Sequence, residues 1–127
     1  MMNDKTRYLY IAGSWEDRDE INALMHRFDD IPEYEIATFW TEQEAGNREH
    51  MQMCAIQDLN GVRSCDIFII HDPHKASKGK YTELGYAMGM GKPIITYKTK
   101  WRGIFTYSHP ARHANNFDEL LKVLNEV

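Results

Sequence analysis

Two carboxylates sit where charge alone brings a soluble fold no benefit. Asp58 lies in "QDLNGVRSCDIFII". On a helical wheel at about 100° per residue it falls inside the apolar arc of Met51, Cys54, Ala55, Leu59 and Val62. A carboxylate turned toward a core is costly unless it is paired or used. A place near a helix C-terminus adds an unfavourable dipole. A backbone amide, or Arg63 at the sheet edge, is the structural way to compensate it. Glu83 lies in "SKGKYTELGYAMGMGKPI", just after a glycine-containing loop and at the start of an expected helix. There it can cap the first turn, or it can do chemistry. Ser77 and Gly79 precede that helix N-terminus, where free backbone N–H groups can hold an anion such as phosphate. Two carboxylates beside a phosphate cradle give the region its chemical interest.

Other polar clusters offer less. "HDPH" (71–74) and "HPARH" (109–113) each hold two histidines, with no third metal ligand evident. No G-x-S-x-G elbow or Cys/His signature for acyl transfer is present. Asp66 and Asp72 bracket an expected strand, as in a phospho-accepting receiver. Receivers need paired acidic residues after their first strand, and here that strand ends in "AGSW".

The elements that must position these groups follow from the apolar pattern. "YLYIA" (8–12), "YEIATFW" (34–40), "DIFII" (66–70) and "PIITY" (93–97) read as strands. Helices are expected over 17–28, 44–63 and 80–90, and "NFDELLKVLNEV" closes the chain as an amphipathic helix. Alternating strands and helices imply an α/β, flavodoxin- or Rossmann-like three-layer fold. Its parallel sheet, of four to five strands, is covered on both faces. Ligands in such folds bind at the carboxyl ends of the strands, near a topological switch point. Here those ends are Ala12-Gly13-Ser14, Phe39-Trp40, Ile70-His71-Asp72 and Tyr97.

Composition narrows the partners. The 127 residues suit one compact domain, and a 43% hydrophobic fraction supplies a core. Lys plus Arg number 15 against 19 Asp plus Glu, for a formal net charge of -4, which disfavours a nucleic acid polymer. Cys54 and Cys65 form no C-x-x-C pair and read as buried free thiols of a reducing cytosol. No apolar run suits a signal peptide or a membrane span, so a soluble cytoplasmic protein is expected.

From Tyr8 to Tyr97 the segments "YIAGSWEDR", "QDLNGVRSCDIFII" and "SKGKYTELGYAMGMGKPI", in that order, resemble the nucleoside 2-deoxyribosyltransferase family. Its superfamily includes the 2'-deoxynucleoside 5'-monophosphate N-glycosidases. The resemblance implies a single domain over 1–127 that cleaves the N-glycosidic bond of a small deoxynucleoside or deoxynucleotide. It makes Glu83 the nucleophile, Asp58 the group acting around the leaving base, and Tyr10 the residue that orients the nucleophile. It also makes Gly13, Ser14 and Trp15 substrate-binding, with Ser77 and Gly79. No metal or organic cofactor is implied, and a homo-oligomer, dimer or higher, is. A catalytically silent nucleotide-binding module on the same fold is the alternative.

The chain departs from the transferase pattern at Ser77, six residues before Glu83, where transferases often carry an aspartate. The monophosphate glycosidases place a phosphate-binding serine there, and Ser14 matches a second phosphate contact. Lys78 or Lys80 is expected to assist. The C-terminal substrate residues that a neighbouring subunit often lends are not assigned, with Asn115 and Asn116 as candidates.

Overall fold

The apolar runs become the strands of one sheet in the computed structural model, which describes residues 5–73, 78–99 and 112–127. In chain order these residues form β1 (Arg7–Ala12), α1 (Arg18–His26), β2 (Tyr34–Ile36), α2 (Arg48–Ser64) and β3 (Ile67–His71). There follow α3 (Lys78–Gly89), β4 (Ile94–Tyr97), β5 (Arg112–Ala114) and α4 (Phe117–Glu126). Short 3-10 turns at Trp15–Asp17 and Trp40–Glu42 follow β1 and β2. The sheet is parallel throughout, in the order β2-β1-β3-β4-β5. That is the flavodoxin-like order, whose switch point lies between β1 and β3.

Burial on both faces explains the composition of the strands. Every residue of β3 and β4 is buried, as is β1 from Leu9 to Ala12. Phe28, just past α1, meets Phe117 of α4 edge-on at 5.2 Å, and the Arg27 guanidinium lies 3.9 Å over the Phe117 ring. These contacts put α1 and α4 on one face of the sheet. Side chains alternate along β1, so Tyr10 points to the opposite face, which α2 and α3 cover together.

Helix ends are set by local chemistry. Asn47 caps α2 by accepting from the His50 N–H at 2.9 Å, and Asn116 caps α4 by accepting from the Glu119 N–H at 2.9 Å. α3 stops at Gly91, with φ 73°, and the Lys92 N–H reaches back to the Ala87 carbonyl at 3.0 Å. Pro93 follows, so "GMGKPI" is a helix stop and a strand start.

Several expectations change. The second strand is only three residues long, because after Ala37 the chain turns and Trp40 donates its indole N–H to the Ile11 carbonyl at 2.6 Å. β5 lies beyond the four strands expected from apolar runs and has no such run to announce it. The α2 stripe is not core-facing along its length. Val62 is buried and Cys54 and Asp58 are half-buried, while Met51, Ala55 and Leu59 are exposed. Glu83 is the sixth residue of α3, beyond the first turn, and Gly79 lies inside the helix rather than before it. A first-turn cap is therefore excluded for Glu83. Among the described residues no helix is long and apolar enough to cross a membrane.

Candidate active site

The three residues expected to do chemistry meet on the α2/α3 face of the sheet. Tyr10 is fully buried on β1, and its ring stacks on Phe68 of β3 with centroids 5.8 Å apart and planes 5° from parallel. Its hydroxyl donates to Glu83 Oε2 at 2.9 Å. Gly61 makes room for this. A Cβ there would stand 2.1 Å from Thr38 Oγ1 and 3.0 Å from two Tyr10 ring carbons. The glycine of "DLNG" thus lets α2 lie close enough for Asp58, three residues earlier, to act on the same space.

The electrostatics of the pair are unusual. Burial pushes the Glu83 carboxyl up from its ordinary 4.5 to about 7, the Tyr10 hydrogen bond works against this, and the Asp58 charge adds to it. Burial likewise raises Asp58 from 3.8 to about 6, opposed by its hydrogen bond from Gln43. Tyr10 is raised far out of the physiological range by burial and by both carboxylates, so it remains a proton donor in its hydrogen bond. Among the described residues no Lys, Arg or His pairs with Glu83 or Asp58. The compensating group expected for Asp58, Arg63, instead donates to Asn60 at 2.7 Å. The amide of Gln43 holds Asp58 at 3.1 Å.

Asp58 also borders a slot of about 290 Å³ walled by Trp15 and Trp40, with Gln43, Cys54 and Met51 among its lining. That volume is at the low end of small-molecule sites, which run from roughly 300 Å³ upward. The two indoles lie 6.4 Å apart and 37° from parallel, and the Arg18 guanidinium sits 4.6 Å over Trp15. At a 6.4 Å separation the indoles touch each other and make one apolar wall, against which a flat aromatic molecule can lie with a polar edge toward Asp58 and Gln43. Glu83 does not line the slot. Asp58 is the group common to the slot and the Tyr10–Glu83 pair.

The substrate loop is partly as expected. Gly13 is half-buried against Ile21 and His71, Ser14 is buried at the strand end with a hydroxyl that makes no cap bond, and Trp15 is exposed. Ser77 lies outside the described residues, as do His74 and "HPARH" up to Ala111. Gly79 is exposed, with nothing near its Cβ position. Asn115 and Asn116 are used locally. Asn115 accepts from His113 at 2.9 Å and donates its N–H to Glu119, and Asn116 caps α4. Sequence reasoning missed Trp40, Gln43 and Gly61 as site residues. Trp40 had a signal, since it stands at a strand's carboxyl end.

Lys80 corrects an expectation. It is fully buried, with Nζ 2.7 Å from Asp72 Oδ1 as an ion pair, and Tyr81 donates its hydroxyl to Asp72 Oδ2 at 2.9 Å. A lysine committed to a buried carboxylate is not a surface phosphate contact. Lys78 remains exposed. His71 is buried too and lies 2.6 Å from Glu20, with burial lowering its pKa. Among the described residues no group of three or more His, Cys, Asp or Glu side chains is placed to hold a metal.

A family model described as nucleoside 2-deoxyribosyltransferase matches residues 9–122. No curated protein matches the sequence. Among solved structures, the CMP N-glycosidase BcmB of Clostridium botulinum is 18% identical, with a TM-score of 0.62 over 95% of this chain and all of its own. A 2-deoxyribosyltransferase from Bacillus psychrosaccharolyticus is 13% identical, with a TM-score of 0.69 over 89% of each chain. At these identities the likeness is one of fold.

Proposed function

Because this chain belongs to the nucleoside 2-deoxyribosyltransferase family, we propose that it cleaves the N-glycosidic bond of a 2'-deoxynucleoside or its 5'-monophosphate through a deoxyribosyl–Glu83 intermediate. The observation that carries this reading is the 2.9 Å hydrogen bond from Tyr10 to a half-buried carboxylate that no cation neutralises among the described residues. A purely structural carboxylate gains little in such a place. One that must attack an electron-poor carbon gains much, because the oxocarbenium-like sugar is itself the missing positive charge. A binding module without turnover would leave this arrangement unexplained.

The base occupies the Trp15–Trp40 slot with its leaving edge over Asp58. A Glu83 oxygen forms the bond to the anomeric carbon as the bond to the base breaks. That electron pair goes to the base nitrogen, and the proton carried by Asp58 follows it, so a neutral base departs. A second base or water then attacks the same carbon from the vacated side, gives its proton to Asp58 and frees Glu83. Two displacements retain the configuration of the sugar. The reaction needs Glu83 ionised and Asp58 protonated. Burial favours the proton on both carboxyls, the Tyr10 hydrogen bond favours ionised Glu83, and a stacked base dries Asp58 further. The Ser14 hydroxyl at the end of β1, which makes no cap bond, suits a 5'-phosphate.

The names of the two fold neighbours span hydrolysis of a nucleotide and transfer of a deoxyribosyl group. One experiment distinguishes these outcomes and tests the reading itself. The protein is incubated with deoxynucleosides and deoxynucleoside monophosphates, with and without acceptor bases, while free base and exchanged nucleoside are measured. A slow 2-fluoro substrate followed by peptide mass spectrometry should place a sugar on the peptide containing Glu83. No base release from any member of the panel would overturn the proposal.

A further inference from the structure

His26, the last residue of α1, has a carboxylate at each of its ring nitrogens. Nδ1 lies 2.8 Å from Asp29 Oδ2, and Nε2 lies 2.6 Å from Glu42 Oε2. The ring itself stacks on Phe39, with centroids 4.9 Å apart and planes 27° from parallel. An ionised carboxylate can only accept, so both bonds stand together when both nitrogens carry protons. This is the geometry of an imidazolium, a cation that also suits a helix C-terminus. Asp29 is a local partner, three residues on. Glu42 is a distant one, because it ends the 3-10 turn Trp40–Glu42.

That turn builds the slot. Trp40 walls it, and Gln43, the next residue, holds Asp58 at 3.1 Å. We infer that His26, which does not line the slot, is a positioning residue for the base, pinning the Trp40–Gln43 stretch to α1 while it carries two ring protons. The inference rests on the reading of the slot as the base site. Other bonds hold the same turn. The Trp40 indole donates to the Ile11 carbonyl at 2.6 Å, and Thr41 donates its hydroxyl to Asn22 Oδ1 at 2.7 Å. Those bonds join neutral groups, whereas the His26–Glu42 bond depends on a proton. A neutral ring has one N–H for two carboxylates and cannot hold both. Among the described residues, Glu42 and Asp29 are the charged groups that bear on His26, and both favour its proton, Glu42 the more. The value is therefore raised above 6.5, and the tie is complete below it and lost as pH rises through it. Exposed ion pairs of this kind add little to stability. The consequence here lies in what the pair positions.

The tie can be followed without substrate. In two-dimensional NMR of the full chain, the Trp40 indole N–H signal should shift as His26 titrates. Glu42→Gln should lower the His26 pKa, and His26→Leu should leave the indole signal without that titration. A Trp40 signal indifferent to the His26 titration would overturn the inference. Kinetics then use whichever deoxynucleoside or monophosphate of the panel releases base fastest. His26→Leu should raise KM about fivefold and change kcat less than about twofold. His26→Arg, a cation at every pH whose fork can meet both carboxylates, should restore the wild-type KM. The ratio of wild-type KM to that of His26→Arg should be near one at about pH 6 and reach about threefold by about pH 9. An unchanged KM in His26→Leu, or a ratio constant with pH, would overturn the positioning role. If no member of the panel releases base, the proposed function falls, while the indole signal still decides the tie.

Discussion

A half-buried carboxylate and a fully buried one in this molecule each accept from a tyrosine hydroxyl and differ in their charge balance. Glu83 accepts from Tyr10 at 2.9 Å, and Asp72 accepts from Tyr81 at 2.9 Å. Asp72 also has the Lys80 ammonium 2.7 Å away, whereas among the described residues the charge that acts on Glu83 is that of another carboxylate, Asp58. α3 supplies Lys80 to one cluster and Glu83 to the other, one turn apart. The cation makes Asp72 part of the scaffold that ties the end of β3 to the start of α3. Its absence among the described neighbours of Glu83 leaves a carboxylate whose charge, in the proposed reaction, the sugar would complement. Similar hydrogen bonds thus stand in opposite charge balances, and under the proposed function that balance divides structure from chemistry.

The largest effect that can break this contrast is on turnover. Glu83→Gln keeps an oxygen for the Tyr10 hydroxyl but cannot attack carbon, so activity should fall on the order of 10⁴-fold or more while the fold persists. A variant retaining even a tenth of wild-type activity would remove the nucleophile role. Asp72→Asn should do the reverse. It takes from a fully buried lysine the carboxylate that balances it, a loss of about 3–5 kcal/mol in stability, read by urea denaturation. The fraction still folded should keep near-normal kinetics at low temperature. If Asp72→Asn is inactive while fully stable, the two clusters are not divided as described.

Asp58 sharpens the comparison from within the reactive cluster. The profile of kcat/KM against pH should be a bell whose limbs lie near the Asp58 value of about 6 and the Glu83 value of about 7. The two groups interact, so the limbs belong to the pair. Asp58→Asn should cost about 10²–10³-fold in activity and abolish the alkaline limb, since no proton donor is left to lose. The limb that remains should report Glu83 alone, at a value somewhat below about 7, because the Asp58 charge is one of the influences holding Glu83 up. A bell unchanged in shape would make Asp58 a structural acceptor for Gln43.

What could be read in advance follows from how local each signal is. β1, β3 and β4 are continuous apolar runs because both their faces are covered, and those runs are plain in the sequence. Asp58, Glu83 and Tyr10 were found through motifs that keep their spacing. Trp40 and Gln43 join the site through a 3-10 turn whose place depends on an indole bond to β1, a contact between distant residues with no local pattern. Lys80 was read as a surface cation because nothing near it in sequence shows that Asp72 lies below. The α2 stripe was misjudged for a physical reason too. Apolar residues cover most of that helix's circumference, so periodicity could not tell the side facing the sheet from the side facing outward.

The smallest expected effect concerns stability, and it tests the charge balance without any substrate. In the unfolded chain Glu83 ionises near 4.5, and in the folded protein near 7. Between those values the folded state holds a proton that the unfolded state has lost, so the contribution to stability is fully present below about 4.5 and disappears as pH rises through about 7. Each unit of difference corresponds to about 1.4 kcal/mol, and partial exposure of the group brings the whole effect to roughly 2–3 kcal/mol. Asp58 adds a change of the same sign over a lower window. The melting temperature of the wild-type protein should therefore carry a downward component across this range. Glu83→Gln, with no proton to exchange, should flatten it and be more stable than wild type at pH 8 but not at pH 4. Tyr10→Phe should steepen the fall, because it removes the hydrogen bond that favours the ionised form. Equal stability profiles for wild type and Glu83→Gln would mean that the carboxylate is compensated in the fold after all, and the contrast with Asp72 would be lost.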